Sequence, residues 1–170
     1  MKNRKVSRLI LIVIVVAVVV AQIVPVTRDN PPIQADFNAS PAVNQVLKKS
    51  CYDCHSNETV WPWYSYVAPV SWLVAGDVHD ARKMLNFSNW GILPEQKIKR
   101  APLNMWDEVD QGGMPLPMYL LMHRDARLTD ADKAVIQAWA EGGTPADTIT
   151  DTTHPSDTTQ PSGEPEEESQ

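Results

Sequence analysis

Two cysteines separated by two residues are followed at once by a histidine: Cys51, Cys54 and His55. Two thiols so spaced on a turn can each bond one of two neighbouring vinyl groups on a porphyrin edge, and the next imidazole then falls beneath the metal. The pattern therefore predicts one covalent c-type haem per chain, with Cys51 and Cys54 as thioether anchors and His55 as the proximal iron ligand. Other chemistries also use paired cysteines. A thioredoxin-like redox pair needs a βαβ setting. A structural zinc needs four ligands, so with only two cysteines in the chain His79 and His123 would have to complete the set. A disulfide between residues three apart is sterically awkward and leaves His55 without a role. Haem is the reading carried forward.

An iron held by one imidazole has a second axial position to fill. Met84, Met105, Met114, Met118, Met122, His79 and His123 all carry ligand atoms. Met114 is favoured because it sits in Gly112-Gly113-Met114-Pro115, where glycine lets backbone approach the porphyrin closely and proline stiffens the loop around a weak thioether ligand. His123 is the rival, since imidazole binds iron more strongly, and a vacant distal site is the third possibility. Arg82 is read as solvated, or as a partner for a propionate. Trp61, Trp63, Tyr64 and Trp72 are read either as a shield for the haem edge or as ordinary core aromatics.

The elements that must position these groups read as helices. Ser40-Pro41 caps one that carries Val43, Val46 and Leu47 on a single face, and continuing that face points both thiols inward. A second is expected from Pro69 to Leu85, with Val70, Leu73, Val74, Ala81, Met84 and Leu85 buried. Pro94 opens a third that Pro102 should bend or end early. Gln111 to Pro117 is a loop, and Tyr119 to His123 a short helical turn. Thr129 caps a last helix whose buried stripe is Leu128, Ala131, Val135, Ala138 and Trp139, and Gly142-Gly143 ends it. No stretch alternates with period two, so the fold class is all-α: a small helical domain around one haem.

Both ends of the chain differ from this body. Lys2, Arg4, Lys5 and Arg8 precede an apolar run from Leu9 to Val24, which reads as an uncleaved membrane helix, or alternatively as a cleaved signal segment. Either way the body is expected on the periplasmic face of a bacterial inner membrane. Residues 145–170 hold seven acids and no lysine or arginine, supply most of the net charge of −6, and are expected to be disordered. The expected division is 1–26 anchor or signal, 27–144 haem-binding domain, 145–170 tail. Without head and tail, 11 basic and 14 acidic residues remain, which offers no basic patch and excludes nucleic acid as a partner.

The runs Cys51-Tyr52-Asp53-Cys54-His55-Ser56-Asn57, Trp61-Pro62-Trp63-Tyr64-Ser65, Ala68-Pro69-Val70-Ser71-Trp72, Asn86-Phe87-Ser88 and Gly113-Met114-Pro115 together resemble the bacterial haem-binding domain family of small cytochrome c-like proteins. The likeness covers about residues 30 to 141 and implies a fold and a cofactor more than a pathway. In its loop and its place before the last helix, Met114 is also similar to the distal methionine of class I cytochromes c. Electron transfer to unidentified redox partner proteins is the leading functional expectation, and enzyme activity is not expected. The alternatives are a gas or peroxide sensor or enzyme with an open distal site, and an anchored binding module with a structural haem.

Overall fold

From Leu9 onward no glycine or proline interrupts the chain until Pro25, and a first helix, α1 (Lys2–Ala21), forms there in the computed structural model, which describes residues 2–142. Arg4, Lys5 and Arg8 occupy its first two turns, leaving 13 apolar residues to Ala21, about 20 Å of helix. Among the described residues no helix is long and apolar enough to cross a membrane. The acidic tail, His154 and the expected domain boundary at residue 144 lie outside the described residues.

Residues 25–40 run without regular structure, as their prolines dictate. Ser40 then caps α2 (Pro41–Ser50), its Oγ accepting from the Val43 N–H, and Val43, Val46 and Leu47 are buried on the expected face. A single turn, α3 (Tyr52–His55), follows, and a 3-10 turn forms at Trp63–Tyr66. Next come α4 (Val70–Met84), a 3-10 segment at Phe87–Ile92, α5 (Glu95–Asp110), α6 (Pro117–Met122), a 3-10 turn at Arg124–Ala126 and α7 (Asp130–Ala140). The described residues are all-α, with no strand among them.

Several expectations are corrected. Pro102 neither ends nor shortens α5, which runs 16 residues through it. The proline removes one backbone donor, and burial of Ala101 and Val109 on the face that meets α7 holds the helix across that gap. On α4 the buried positions are Ser71, Ala75 and Val78, small residues that allow close approach, whereas Val70, Leu73 and Met84 are exposed. On α7 the fully buried residue is Ile136, flanked by half-buried Val135 and Trp139, while Ala131 is exposed.

The core has two parts. Phe37, Val43, Leu47, Tyr52 and Phe87 form the larger, in which Tyr52 stacks on Phe87 at 4.9 Å and Phe37 meets Trp90 edge-on at 4.6 Å. Val46, Val109 and Ile136 join α2, α5 and α7 in the smaller. At the N-terminus of α7, Thr129 and Asp132 make a capping box, and Lys49 at the end of α2 binds the Asp132 carboxylate. The helix that leads into the first cysteine is thereby fixed to the last helix.

A candidate haem site

Leu47, deep in the core, offers its carbonyl to the Cys51 N–H at 2.8 Å, and the chain then turns tightly, with the His55 N–H donating to the Cys51 carbonyl at 2.9 Å. That turn carries both thiols and the imidazole to one wall of a cavity of about 360 Å³. Cys51, Cys54, His55 and Met114 all line it, and so do Met84 and Met105, two of the other candidate ligands. Its apolar walls come from Leu85, Phe87, Met105, Val109 and Ile136, and Asp77, Asp80, Lys97, Asn104 and Glu108 supply the polar part. His123, the rival ligand, does not line it; its Nδ1 lies 3.3 Å from the Tyr64 hydroxyl and its ring stacks on Tyr119 at 4.2 Å.

The His55 ring is oriented from behind. Its Nδ1–H donates to the Leu85 carbonyl at 3.1 Å, which selects the tautomer whose Nε2 carries the lone pair. Burial pushes its pKa down, opposed in part by the Leu85 and Ala81 carbonyls, so the ring is neutral and competent to bind a metal. Cys51 and Cys54 carry free thiols. Burial pushes Cys51 up to about 12, with the charge of Cys54 adding to it, and burial followed by the charge of Asp53 pushes Cys54 up to about 11. Both therefore stay protonated at neutral pH. Among the described residues no three His, Cys, Asp or Glu side chains converge to hold a metal ion, so the zinc alternative finds no ligand set there.

Met114 is held by the end of α5. The carbonyl of Glu108 accepts from both the Gly113 and Met114 N–H groups, at 2.8 and 3.1 Å, after Gly112 has turned the chain at φ +73°. Only glycine takes that conformation without strain. A Cβ on Gly113 would come within 2.5 Å of the Glu108 carboxylate. The two glycines before Met114 thus serve the turn that presents it.

Asp53, inside the motif, ties the turn to its surroundings. Its Oδ2 accepts from the Tyr119 hydroxyl at 2.7 Å and its Oδ1 from the Val60 N–H at 3.2 Å. Burial and then the Asp53 carboxylate push the Tyr119 phenol far up, so it remains a donor. Tyr119 also lines the cavity, and pattern reading had seen in it only the start of a helical turn. A Tyr two residues after a Pro-x-Pro loop gives no local hint of a carboxylate 66 positions away.

The Arg82 side chain, only 9% exposed, is neither solvated nor part of the cavity lining. It donates to the carbonyls of Ser56 and Asp29, to Asn30 Oδ1 and to Thr59 Oγ1. Nor do Trp61, Trp63, Tyr64 or Trp72 line the cavity. Trp63 and Trp72 are exposed instead.

Two observations test whether these residues fit a haem. The cavity is walled by apolar side chains, with one neutral imidazole and the thioethers of Met84, Met105 and Met114 opening on it, donors suited to haem iron. In addition, Ser50, 6% exposed and in the lining, has a hydroxyl without a hydrogen-bond partner among protein atoms, as expected beside a space meant for a ligand. The residues fit. Residues 14–142 match the model of the haem-binding domain family, and the chain belongs to that family. No curated protein and no solved structure matches it. Haem is thus its cofactor.

Proposed function

We propose that Cys51 and Cys54 hold the haem covalently as thioethers, that His55 and Met114 are its axial ligands, and that the protein is a one-electron carrier rather than an enzyme, exchanging electrons with other redox proteins. The observation that carries this reading is the convergence of those four side chains, from the two sides of α4 and α5 in sequence, on one apolar cavity. When bound, the haem supplies the redox couple. The chain supplies the rest: Leu85 fixes the His55 ring, the Glu108 carbonyl fixes the Met114 loop, and Leu85, Phe87, Met105, Val109 and Ile136 give the haem apolar walls. A thioether opposite an imidazole raises the potential relative to two imidazoles. His123 and Arg124, the acid–base pair that peroxide chemistry would want over the metal, do not line the cavity, and Arg124 is exposed. Carbon monoxide tests the reading: the reduced protein should keep its spectrum, whereas a sensor or enzyme with an open distal site would show a prompt shift.

The location is part of the same proposal. Every large apolar side chain from Leu9 to Val20 on α1 is about half exposed or more, and among the described residues nothing covers them. Lipid is the medium suited to such a stem, with Arg4, Lys5 and Arg8 on the cytoplasmic side and the haem domain in the periplasm. From Leu9 to Ala21 the apolar stem measures about 20 Å as helix, against about 30 Å of hydrocarbon. Snorkelling of the three cations and local thinning of the bilayer offset a mismatch of that size.

A further inference from the structure

The stem does not end in a free linker. Gln22, the first residue after α1, pairs its side-chain amide with both backbone groups of Ala68: Nε2 donates to the Ala68 carbonyl at 3.2 Å, and the Ala68 N–H donates to Oε1 at 3.0 Å. The same Nε2 donates to the Val18 carbonyl at 3.0 Å, so the last turn of the helix and residue 68 are joined through one amide. Residues 21–26 and Tyr66, Ala68 and Ser71 enclose a shared hollow.

Around that junction the surface is apolar. Trp63 is 72% and Tyr66 57% exposed, and Val67, Val70, Ile23 and Val24 are exposed as well. An apolar set of this size on one corner marks a surface that is covered in use. At its edge the Arg28 guanidinium lies 4.4 Å from the Tyr66 ring centroid and donates to the Ser65 carbonyl at 3.1 Å. Tryptophan, tyrosine and arginine around an apolar patch have the composition of a membrane–water interface.

We infer that this corner, the Trp63–Tyr66 turn with the first turn of α4, is a membrane-contact surface seated in the headgroup boundary of the bilayer that receives α1. The inference rests on the proposed insertion of α1 and adds an orientation to it. Continuity selects lipid over a partner protein or a second copy, because whatever surrounds the end of α1 must also lie against the residues bonded to Gln22. Length argues the same way. A stem about 10 Å shorter than the hydrocarbon draws adjoining apolar groups toward the membrane, and the corner provides them. Because α4 starts at this corner and reaches the cavity wall at Asp77, the contact holds the haem site at a set distance from the bilayer.

Photolabelling tests this. The full haem-loaded chain is placed in vesicles of phosphatidylcholine and phosphatidylglycerol containing a phospholipid with a diazirine near the top of one acyl chain, and labelled peptides are mapped by mass spectrometry. Label is expected on α1 and on residues 63–70, with Val67→Asp lowering the corner label several-fold and leaving the stem label unchanged. A labelled stem with a bare corner overturns the inference, as does a corner label indifferent to Val67→Asp, or a corner crosslinked to a second chain. Absence of label from stem and corner alike removes the insertion of α1 as well.

Discussion

Arg82 on α4 donates through Nε to the carbonyl of Ser56, the residue after His55, at 2.7 Å. Its guanidinium then reaches Asp29, Asn30 and Thr59, so one planar fork joins the irregular segment 25–40, the loop after the haem motif and α4. Ser56 is fully buried, and among the described residues only Arg82 donates to its carbonyl.

Arg82→Ala should therefore destabilise the domain by about 2–3 kcal/mol, the cost of stranding a buried acceptor and losing charge-assisted bonds. Arg82→Lys should recover only part of this, because a single ammonium cannot span acceptors arranged for a fork. Urea unfolding followed by far-UV circular dichroism measures both. Equal stability of Arg82→Lys and wild type would show that charge alone matters there.

Met114→Ala should abolish the weak sulfur-to-iron charge-transfer absorption at the red edge of the visible spectrum and open the metal to carbon monoxide, whereas His123→Ala should leave both unchanged. Gly112→Ala should act in the same direction more weakly, since a left-handed conformation at a non-glycine residue costs about 1–2 kcal/mol and that turn presents Met114. Absorption spectra of the oxidised and reduced variants decide. The reverse pattern, with His123→Ala opening the metal, moves the distal ligand to His123.

The bond between the last helix and α2 predicts a pH dependence. Burial pushes the Asp132 carboxyl up, but the hydrogen bonds from Lys49 and Thr129 and the Lys49 charge outweigh it and hold the group below its ordinary value. A carboxyl depressed in the folded state contributes stability that is complete above its unfolded pKa and is lost as pH falls through the folded one. Asp132→Asn should thus cost about 1 kcal/mol at neutral pH, and its gap from wild type should close below about pH 4. Thermal unfolding across that range checks it; a gap independent of pH would show that the carboxylate charge plays no part.

What the sequence made legible was whatever depends on near neighbours in the chain. Ser40-Pro41 and Thr129 announce the starts of α2 and α7 because a cap bonds within three residues, and Val43, Val46 and Leu47 announce a buried face because helical period is local. Cys51, Cys54, His55 and Met114 could be picked out by type and spacing, and all four line one cavity. Of the stripe expected on the last helix, Leu128, Val135 and Trp139 pack on the core, while Ile136 joins them and Ala131 is exposed; the face of α4 was misread because apolar residues are drawn toward whatever covers them. On α4 the apolar side runs along the cavity wall and the domain corner, while small Ser71, Ala75 and Val78 allow helix contact. Arg82 and Tyr119 were not legible at all as positioning residues, since their acceptors lie 23 to 66 positions away. Phe37 was lost in the proline-rich segment 25–40, where nothing periodic marks the side chain that is buried in the core.

The most direct test of the central claim is the intact mass of the denatured polypeptide, made together with haem-maturation machinery and compared with a haem stain on a denaturing gel. The expected results are a chain heavier by one haem that survives denaturation, a single-thioether product in Cys51→Ala or Cys54→Ala, and an unmodified mass with no stain in the double variant. A wild-type chain that releases its haem on denaturation, or a double variant that retains it, would contradict covalent attachment at these two cysteines.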